Sequence, residues 1–405
     1  MTMDAYPEDW TTYSIGQIGD PLMCKRILKE QTEESGDVPF YKIGTFGRKA
    51  DAYISRGLYE DFKSKYSYPK KGDILISAAG TIGRLVVFDG EDAYFQDSNI
   101  VWLGNDETIV LNLYLYWAFQ NMKWQSEDGG IVSRLYNNNF KAMQLVVPPL
   151  PEQRRIAAAL GDMDKLIDNL SKRIEKKKAI KQGAMQELLT GKKRLPGFEG
   201  EWLVKSIAKS ATVKARIGWQ GLTTQEYLAD GSYRLVNGTN IENGAVNWGS
   251  CYYVAEDRYG EDKNIQLRQA DVLVSKDGTI GKVAFVERLP LPATLNSGVF
   301  VVRSKDYDLS QEYLARVFLS KWFDDFIDKI TAGSTIVHLY QKDITKFQFL
   351  IPPTLAEQRA IAKVLGDMDA EIAKLEAKRE KLTGIKKGMM SDLLTGKVRL
   401  KGGTE

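Results

Sequence analysis

The sequence predicts a mixed α/β (α+β) protein with two copies of one module, a globular domain followed by a long helix. Three observations predict this architecture: an internal repeat, short β-branched runs bounded by turn residues, and two long segments with helical periodicity. The two long helices are predicted to pair as an antiparallel coiled coil, which gives the chain a pseudo-twofold internal repeat. The length of 405 residues agrees with two or three domains of about 150 residues each.

The repeat is clearest in the helical segments. EQRRIAAALGDMDKLIDNL begins at Glu152, EQRAIAKVLGDMDAEIAKL begins at Glu357, and both copies end in LLTGK-x-RL at a constant offset of 205 positions. Upstream, DILISAAGTIGR (residues 73–84) matches DVLVSKDGTIGK (residues 271–282) at an offset of 198. Insertions accumulate in loops and are resisted by continuous helices, so each copy is predicted to be a loop-rich domain followed by a rigid helix. The predicted boundaries are 1–150 for the first domain, 151–195 for the first spacer helix, 196–354 for the second domain and 355–405 for the second spacer helix and tail.

The globular parts contain short runs that are typical of strands. DILIS, RLVVF, NIVWL, DVLVS, KVAFV and GVFVV are rich in β-branched residues and are bounded by Gly, Asp or Ser. LNLYLYWAFQNMKW and SQEYLARVFLSKWFDDFI each predict a helix. Strands therefore outnumber helices in both predicted domains.

Both long helices follow a proline pair that blocks helix formation before it, and each has a glutamate in its first turn, where the helix dipole favours a negative charge. Apolar residues then recur with the alternating four- and three-residue spacing of a coiled-coil seam. About 38 residues at 1.5 Å each predict a rod of roughly 55 Å. The seam positions are Ile156, Leu160, Met163, Ile167, Leu170 and Ile174 in the first helix and Ile361, Leu365, Met368, Ile372, Leu375 and Leu382 in the second.

One alternative remains open for these helices. Two unrelated amphipathic helices could each pack on their own domain without contacting one another. The observed spacing makes a narrower apolar stripe than that of an ordinary surface helix, which favours pairing of the two helices.

Composition excludes several classes of protein. Lys and Arg number 56 against 53 Asp and Glu, so the net charge of +3 excludes a histone-like polycation. A single histidine, His338, cannot supply a histidine-rich metal centre or a catalytic relay in each copy. Cys24 and Cys251 cannot form a Cys₄ site or a disulfide framework. With no signal-like start and no long apolar segment, we expect a soluble, cytoplasmic protein that does not bind membranes.

Several catalytic motifs are also missing from the sequence. It contains no G-x-x-x-x-G-K-[ST] phosphate loop and no G-x-S-x-G elbow, and GTIG is too short to be a dinucleotide-binding fingerprint. His338 lies among apolar neighbours and is expected to be a packed structural residue. We therefore predict a protein without catalytic side chains.

A proline pair followed after two or three residues by EQ, together with I-x-x-x-L-G-D-M-D and LLTGK-x-RL, is present twice. This pattern resembles the specificity (S) subunit of Type I restriction–modification enzymes over nearly the whole chain. The resemblance implies two target-recognition domains, each binding one half of an asymmetric bipartite site in double-stranded DNA, with a coiled coil that sets their spacing. It also implies docking of two modification (adenine methyltransferase) subunits and, through them, restriction/translocase subunits. The S subunit of this family is non-catalytic; S-adenosylmethionine, ATP and Mg²⁺ are expected on the partner subunits and no cofactor or metal on this chain.

DNA-reading residues should be polar, lie in loops and differ between the two copies. Asn and Gln can read adenine and Arg can read guanine, whereas the shared GTIG turn is better suited to shaping a loop or meeting the DNA backbone. A run such as NNN is also typical of a simple turn. The candidates are Ser77, Thr81, Arg84, Arg134, Tyr136, Asn137, Asn138 and Asn139 in the first copy and Ser275, Lys276, Thr279, Lys282, Tyr340, Gln341 and Lys342 in the second.

The modest net charge conceals basic runs on the long helices. These runs could be solvated helix faces, or part of them could face DNA or an acidic partner. Two further functions stay open from the sequence: a two-headed coiled-coil adaptor that binds protein partners instead of DNA, and a tandem enzyme with a carboxylate site. The basic residues are Lys172, Arg173, Lys176, Lys177, Lys178 and Lys181 in the first helix and Lys378, Arg379, Lys381, Lys386 and Lys387 in the second.

Overall fold

Two compact units make up the chain in a computed structural model, which describes residues 6–124, 134–332 and 338–400. The first unit comprises residues 1–171 together with 377–405, and the second comprises residues 172–376. Each unit therefore contains one globular domain, the beginning of one long helix and the end of the other. This division differs from the linear boundaries expected from the repeat, because each long helix contributes to both units.

In the first unit, the central sheet has four antiparallel strands in the order Gly19–Leu22, Ile100–Asn105, Ile74–Ser77 and Leu85–Val87. A three-stranded sheet places Val38–Tyr41 between Tyr53–Ile54 and Tyr94–Phe95, and Thr11–Ser14 pairs with Gln144–Val147. The helices of this domain are Ile15–Ile18, Arg56–Lys65, Asn112–Asn121 and Asn137–Ala142.

The second unit repeats this topology. Its four-stranded antiparallel sheet has the order Ala211–Lys214, Val299–Ser304, Val272–Ser275 and Val283–Phe285. Tyr233–Val236 lies between Tyr252–Val254 and Ala293–Leu295, Leu203–Ser206 pairs with Gln348–Ile351, and Ile241–Glu242 pairs with Ala245–Val246. The helices of this domain are Ile207–Ser210, Glu256–Gly260, Gln311–Phe318, Lys321–Thr331 and Gln341–Ile344.

The predicted strands are present in both units, but one predicted helix is divided. SQEYLARVFLSKWFDDFI forms Gln311–Phe318 and Lys321–Thr331, with Ser320 between them. The Ser320 hydroxyl donates to the carbonyl of Val317 at 2.6 Å, an alternative to helical pairing that serine readily adopts. The break lets Phe323 pack against Phe318 with ring centroids 4.6 Å apart in the core.

The two long helices run over Leu150–Leu188 and Leu355–Leu394. Beyond each end, Thr190 and Thr395 donate to carbonyl groups four residues earlier, at 2.6 Å in both cases. The following Gly191 and Gly396 have φ values of +72° and +71°, a conformation that glycine adopts without strain. The predicted glycine stops are therefore present, although the regular helices end slightly before them. No helix in the described ranges is long and apolar enough to cross a membrane.

The long helices pair in antiparallel fashion within the first unit. Lys386, late in the second helix, forms an ion pair with Asp164, early in the first. Leu393 and Leu394 belong to the same buried cluster as Ile156 and Leu160. The beginning of one helix thus packs against the end of the other, as the seam spacing predicted.

The second unit contains the reciprocal pairing. Lys177 contacts Glu371 at 2.8 Å and Lys178 contacts Glu376 at 2.9 Å. Lys181 forms an ion pair with Asp369, which also accepts a hydrogen bond from the nearly buried Arg316 at 2.6 Å. Part of the basic run is therefore used to pair the helices, and these three lysines are partly exposed while their ammonium groups contact carboxylates of the other helix.

The apolar seam has two different environments. The start of each helix also packs into its own domain, so the seam and the domain core form one continuous cluster. Beyond these starts, buried and partly exposed seam positions alternate along both helices. Ile156, Leu160, Leu170, Ile174, Ile361, Leu365 and Ile372 are buried, whereas Met163, Ile167, Met368, Leu375 and Leu382 are partly exposed.

Candidate nucleic-acid interface

In each central four-stranded sheet, the second strand along the chain is followed by a turn that side-chain hydrogen bonds close. In the first unit, the Ser77 hydroxyl donates to the carbonyl of Thr81 at 2.6 Å and accepts from the backbone N–H of Arg84 at 2.8 Å. In the second unit, Ser275 makes the same two bonds, at 2.6 Å and 2.9 Å. Both serines are buried, so these two predicted contact residues shape the turn and are not available to a ligand in this structure.

The glycines of GTIG are required by the backbone of this turn. Gly80 and Gly83 have φ values of +66° and +82°, and their counterparts in the second unit have +68° and +78°. A Cβ atom on Gly83 would lie 2.1 Å from the ring of Trp124, so this position also lacks space for a side chain. Between the glycines, Thr81 and its counterpart Thr279 are exposed at the tip of the turn.

A second segment lies before the last strand of each domain. The sequence predicted a polar turn here, but the segment forms a short helix, Asn137–Ala142 in the first unit and Gln341–Ile344 in the second. The residue before each helix is an exposed tyrosine: Tyr136 is 55% exposed and Tyr340 is 52% exposed. An aromatic ring presented to solvent at the same place in two domains is a suitable surface for contact with a ligand.

The turn and the short helix meet in both units. In the first, Ala79 and Arg134 form an isolated antiparallel bridge, and the N–H of Leu135 donates to the carbonyl of Ala78 at 2.8 Å. In the second, Asp277 and His338 form the equivalent bridge, and the N–H of Leu339 donates to the carbonyl of Lys276 at 2.9 Å. Two motifs that are separated by 55 residues in the first unit and 61 in the second therefore form one surface in each unit. We call this surface the turn–helix surface.

The polar side chains of the first turn–helix surface are partly engaged within the protein. The guanidinium of Arg134 donates to the carbonyl of Ser98 at 3.1 Å, and that of Arg84 donates to the carbonyl of Phe46 at 3.0 Å. Asn137 and Asn138 are exposed, while Asn139 is partly buried. The first surface thus carries exposed amide side chains and two guanidinium groups that are anchored to backbone carbonyls.

The second turn–helix surface carries different chemistry. His338 Nδ1 contacts the carboxylate of Asp277, and the imidazole lies edge-on to the Tyr340 ring at a centroid distance of 4.5 Å. The Lys342 ammonium lies 5.4 Å from the centre of the same tyrosine ring. Gln341, although exposed, donates from Nε2 to the carbonyl of Val213 at 3.1 Å.

Two lysines complete the second surface. The Lys276 ammonium lies 5.5 Å from the ring centre of Phe300, and Lys282, which occupies the position of Arg84, is partly exposed. The second unit therefore places three lysines where the first has an alanine, an arginine and an asparagine.

Sequence reasoning missed two groups of residues on these surfaces. Ser98 and Asn99 lie on the neighbouring loop of the first unit, and Ser98 has a φ of +52°, which is unusual for a residue other than glycine. In the second unit, sequence reasoning did not assign Asp277 or His338 to the interface. His338 is only partly buried and is not enclosed in the core. Asp277 lies inside the repeated strand–turn motif, at a position where the two copies differ, and that difference could have identified it.

The cysteines lie in other buried regions. Burial raises the pKa of the Cys24 thiol to about 12 and that of the Cys251 thiol to about 11, so both thiols are protonated at neutral pH. In the described part of the chain, no group of three or more His, Cys, Asp or Glu side chains is placed to hold a metal ion.

Comparison with known proteins identifies the family. Residues 7–181 and 221–383 match the type I restriction modification DNA specificity domain. The chain belongs to this family. The sequence-based resemblance to type I specificity subunits is thus confirmed by a match that covers most of the chain in two segments.

Several specificity subunits are similar to this one. The chain is 59% identical over 157 residues to a putative type I specificity subunit of Haemophilus influenzae, and the match covers 39% of this chain and 41% of that protein. It is 25% identical to the MjaVIII specificity subunit of Methanocaldococcus jannaschii, with 98% of this chain and 94% of the relative covered.

Solved structures also share the fold. The S subunit of a type I restriction–modification system from M. genitalium matches with a TM-score of 0.64 at 15% identity, covering 97% of each chain. A chain from a study of type I system assembly matches with a TM-score of 0.56 at 13% identity, covering 97% of this chain and 100% of the other. These likenesses confirm the predicted fold class of this specificity subunit.

Proposed function

We propose that this specificity subunit recognises an asymmetric bipartite DNA sequence, with each turn–helix surface contacting one half-site. The observation that carries the proposal is that both units join the same two motifs through the same backbone bridge but carry different polar side chains there. A shared scaffold places both surfaces in the same way against a half-site. Because the side chains differ between the two surfaces, each surface can recognise a different base sequence.

The positions divide into two classes under this proposal. Tyr136 and Tyr340 are shared and exposed, and the threonines at the tips of the GTIG turns, Thr81 and Thr279, are shared and exposed as well, so these groups suit contacts to sugar and phosphate. The divergent positions suit base edges. Asn137 and Asn138 can read adenine, whereas Lys342 can read guanine.

We further propose the assembly in which this recognition acts. The chain itself carries no catalysis and binds no cofactor, and two modification subunits that use S-adenosylmethionine to methylate adenine dock along its long helices. Restriction subunits that use ATP and Mg²⁺ join through them. A net charge of +3 supports a shared interface, because the partner subunits would then provide part of the phosphate contact that DNA affinity requires.

Methylation sequencing of DNA tests the proposal directly. The subunit is co-expressed with its cognate modification subunit in a host that lacks other adenine methylation, and the modification subunit alone serves as the control. We expect one new adenine-methylated motif with two different half-sites and a fixed gap. A soluble complex that produces no new methylated motif and shows no salt-dependent binding to DNA would contradict the proposal. That outcome would support the adaptor that binds protein partners instead of DNA.

A further inference from the structure

We propose that His338, positioned by Asp277, reads one base of the half-site contacted by the second unit. This inference rests on the proposed function, because it assigns a role to one side chain within the proposed interface. It gives the only histidine of the sequence a recognition role, in place of the packed structural role expected from the sequence.

The position of His338 places it on the proposed interface. Its backbone forms the bridge to Asp277 that joins the strand–turn motif to the segment before the short helix. Its side chain is 28% exposed, so part of the ring is accessible to a ligand. Tyr340, two residues later, is exposed beside it.

The chemistry of the pair leaves one ring nitrogen for a ligand. A carboxylate only accepts hydrogen bonds at neutral pH, so the contact with Asp277 puts the proton of a neutral imidazole on Nδ1. Nε2 makes no hydrogen bond to any residue in the described ranges. It is an acceptor in the neutral ring and a donor in the protonated ring.

Two contacts fix the orientation of this nitrogen. Asp277 holds the ring through Nδ1 and the Tyr340 ring packs against it at a centroid distance of 4.5 Å. A side chain whose orientation is fixed before binding loses less conformational entropy when it contacts a base. Asp277 is therefore a positioning residue, and His338 is the residue that touches DNA.

The first unit provides an internal comparison. At the same bridge it carries Ala79 and Arg134, and the Arg134 guanidinium donates to the carbonyl of Ser98. An alanine cannot orient an imidazole, and a guanidinium can only donate hydrogen bonds. The two surfaces thus differ in hydrogen-bonding character at one structurally equivalent point, as recognition of two different half-sites requires.

Protonation changes the base that His338 can contact. A neutral ring accepts from the amino group of adenine or cytosine, whereas a protonated ring donates to guanine N7 or O6. The charged and titratable groups on the facing elements are Asp277 from the turn and Tyr340 and Lys342 from the short helix and the residue before it. In either form the ring contacts a single base, so substitution of His338 should change base preference at one position of the second half-site.

A binding experiment with the assembled complex tests this inference. Duplexes that carry each alternative base at each position of the second half-site are measured with the unsubstituted complex and with each variant. For His338→Gln we expect an approximately tenfold change in discrimination at one position. For Asp277→Asn we expect about a fivefold loss of discrimination at the same position. The first half-site and the gap stay unchanged in both variants.

Asp325→Asn is the matched control, because Asp325 is an exposed aspartate of the same unit that forms an ion pair with Lys321 and is not part of the bridge to His338. It should behave as the unsubstituted protein at every position of the half-site. Wild-type preference at every position in both variants would overturn the inference, as would an equal loss at all positions of the second half-site, which indicates a structural role. If the unsubstituted complex itself has no bipartite preference, the proposed function fails first.

Discussion

Several residues of the strand–turn motif are the same in both copies because they shape the backbone of the turn. Ser77 closes its turn with two hydrogen bonds, and Ser275 makes the same pair in the second unit. The glycines that follow adopt positive φ values, which side chains with a Cβ atom rarely tolerate. These residues are shared because the turn cannot form without them, while the side chains that project from the turn are free to differ.

Replacing Gly83 by alanine should destabilise the first unit more than replacing Gly80. Both glycines have a positive φ, which costs a non-glycine residue about 1–2 kcal/mol. Only Gly83 has a ring, that of Trp124, where the new methyl group would lie, and overpacking adds about 1–3 kcal/mol. Urea denaturation of both variants measures the difference in free energy of unfolding. Equal losses would show that Trp124 moves aside without cost.

At the scale of elements, reciprocal ion pairs join the segment that follows each long helix to the start of the other helix. In the first unit, Arg399 donates to both carboxylate oxygens of the buried Glu152, at 2.7 Å and 2.6 Å, and also to Asp9. In the second, Arg194 donates to both oxygens of the buried Glu357, at 2.8 Å each. The two glutamates are 205 positions apart, and so are the two arginines. The same repeated sequence therefore provides the glutamate and the arginine of both contacts.

The electrostatics of the first contact favour the ionised glutamate. Burial acts to raise the pKa of Glu152, but the hydrogen bond and charge of Arg399 outweigh it and hold the pKa below its ordinary value. The hydrogen bond to Glu152 likewise raises the pKa of Arg399. The ion pair therefore stabilises the fold above the ordinary glutamate pKa of about 4.3, and this contribution is lost as the pH falls through the lowered value.

Arg399→Met should destabilise the first unit by about 3 kcal/mol at pH 7, because it leaves the carboxylate of Glu152 buried without its cation. The difference from the unsubstituted protein should shrink as the pH falls through the lowered pKa of Glu152, because the protonated carboxyl group no longer needs the cation. Urea denaturation at several pH values provides the measurement.

Arg26→Met is the control for this substitution, since Arg26 is 67% exposed in its pair with Asp97 and should contribute less than about 1 kcal/mol. A loss for Arg399→Met that stays constant from pH 7 to pH 3 would contradict the electrostatic explanation.

At the scale of the whole molecule, the continuous helices carry the chain from one unit to the other. The division between the units falls between Ser171 and Lys172 in the first helix and between Glu376 and Ala377 in the second. Each ion pair between the helices described above lies within one unit. An insertion at these two points leaves the contacts within each unit intact. The length of the connection can thus be varied separately from the two turn–helix surfaces.

Inserting one heptad at each of these two points should lengthen the gap between half-sites and leave both half-sites unchanged. Seven residues add about 10.5 Å of helix, which corresponds to about three base pairs at 3.4 Å each. Methylation sequencing of the variant complex reads the gap and the half-sites together. An unchanged gap, or a loss of one half-site, would show that the helices do not set the spacing.

Much of the fold is readable from the sequence because it depends on local and periodic signals. The offset of 205 between the copies, the seam spacing from Ile156 to Ile174 and the glycine stops predicted two long antiparallel helices. Similarly, β-branched runs between turn residues predicted the strands of the central sheets. These features are determined by backbone preferences and by the side chains on one face of a single element.

The candidate interface can be predicted only in part from the sequence, because some of its features depend on contacts between distant residues. Exposed polar residues such as Asn137 and Tyr340 were identified because polarity and position in a motif are local properties. The burial of Ser77, the contact between Asp277 and His338, and the ion pairs that use part of the basic run all involve residues distant in sequence. Only the tertiary structure decided them, because hydrogen-bond partners and access to solvent depend on which distant segments pack together.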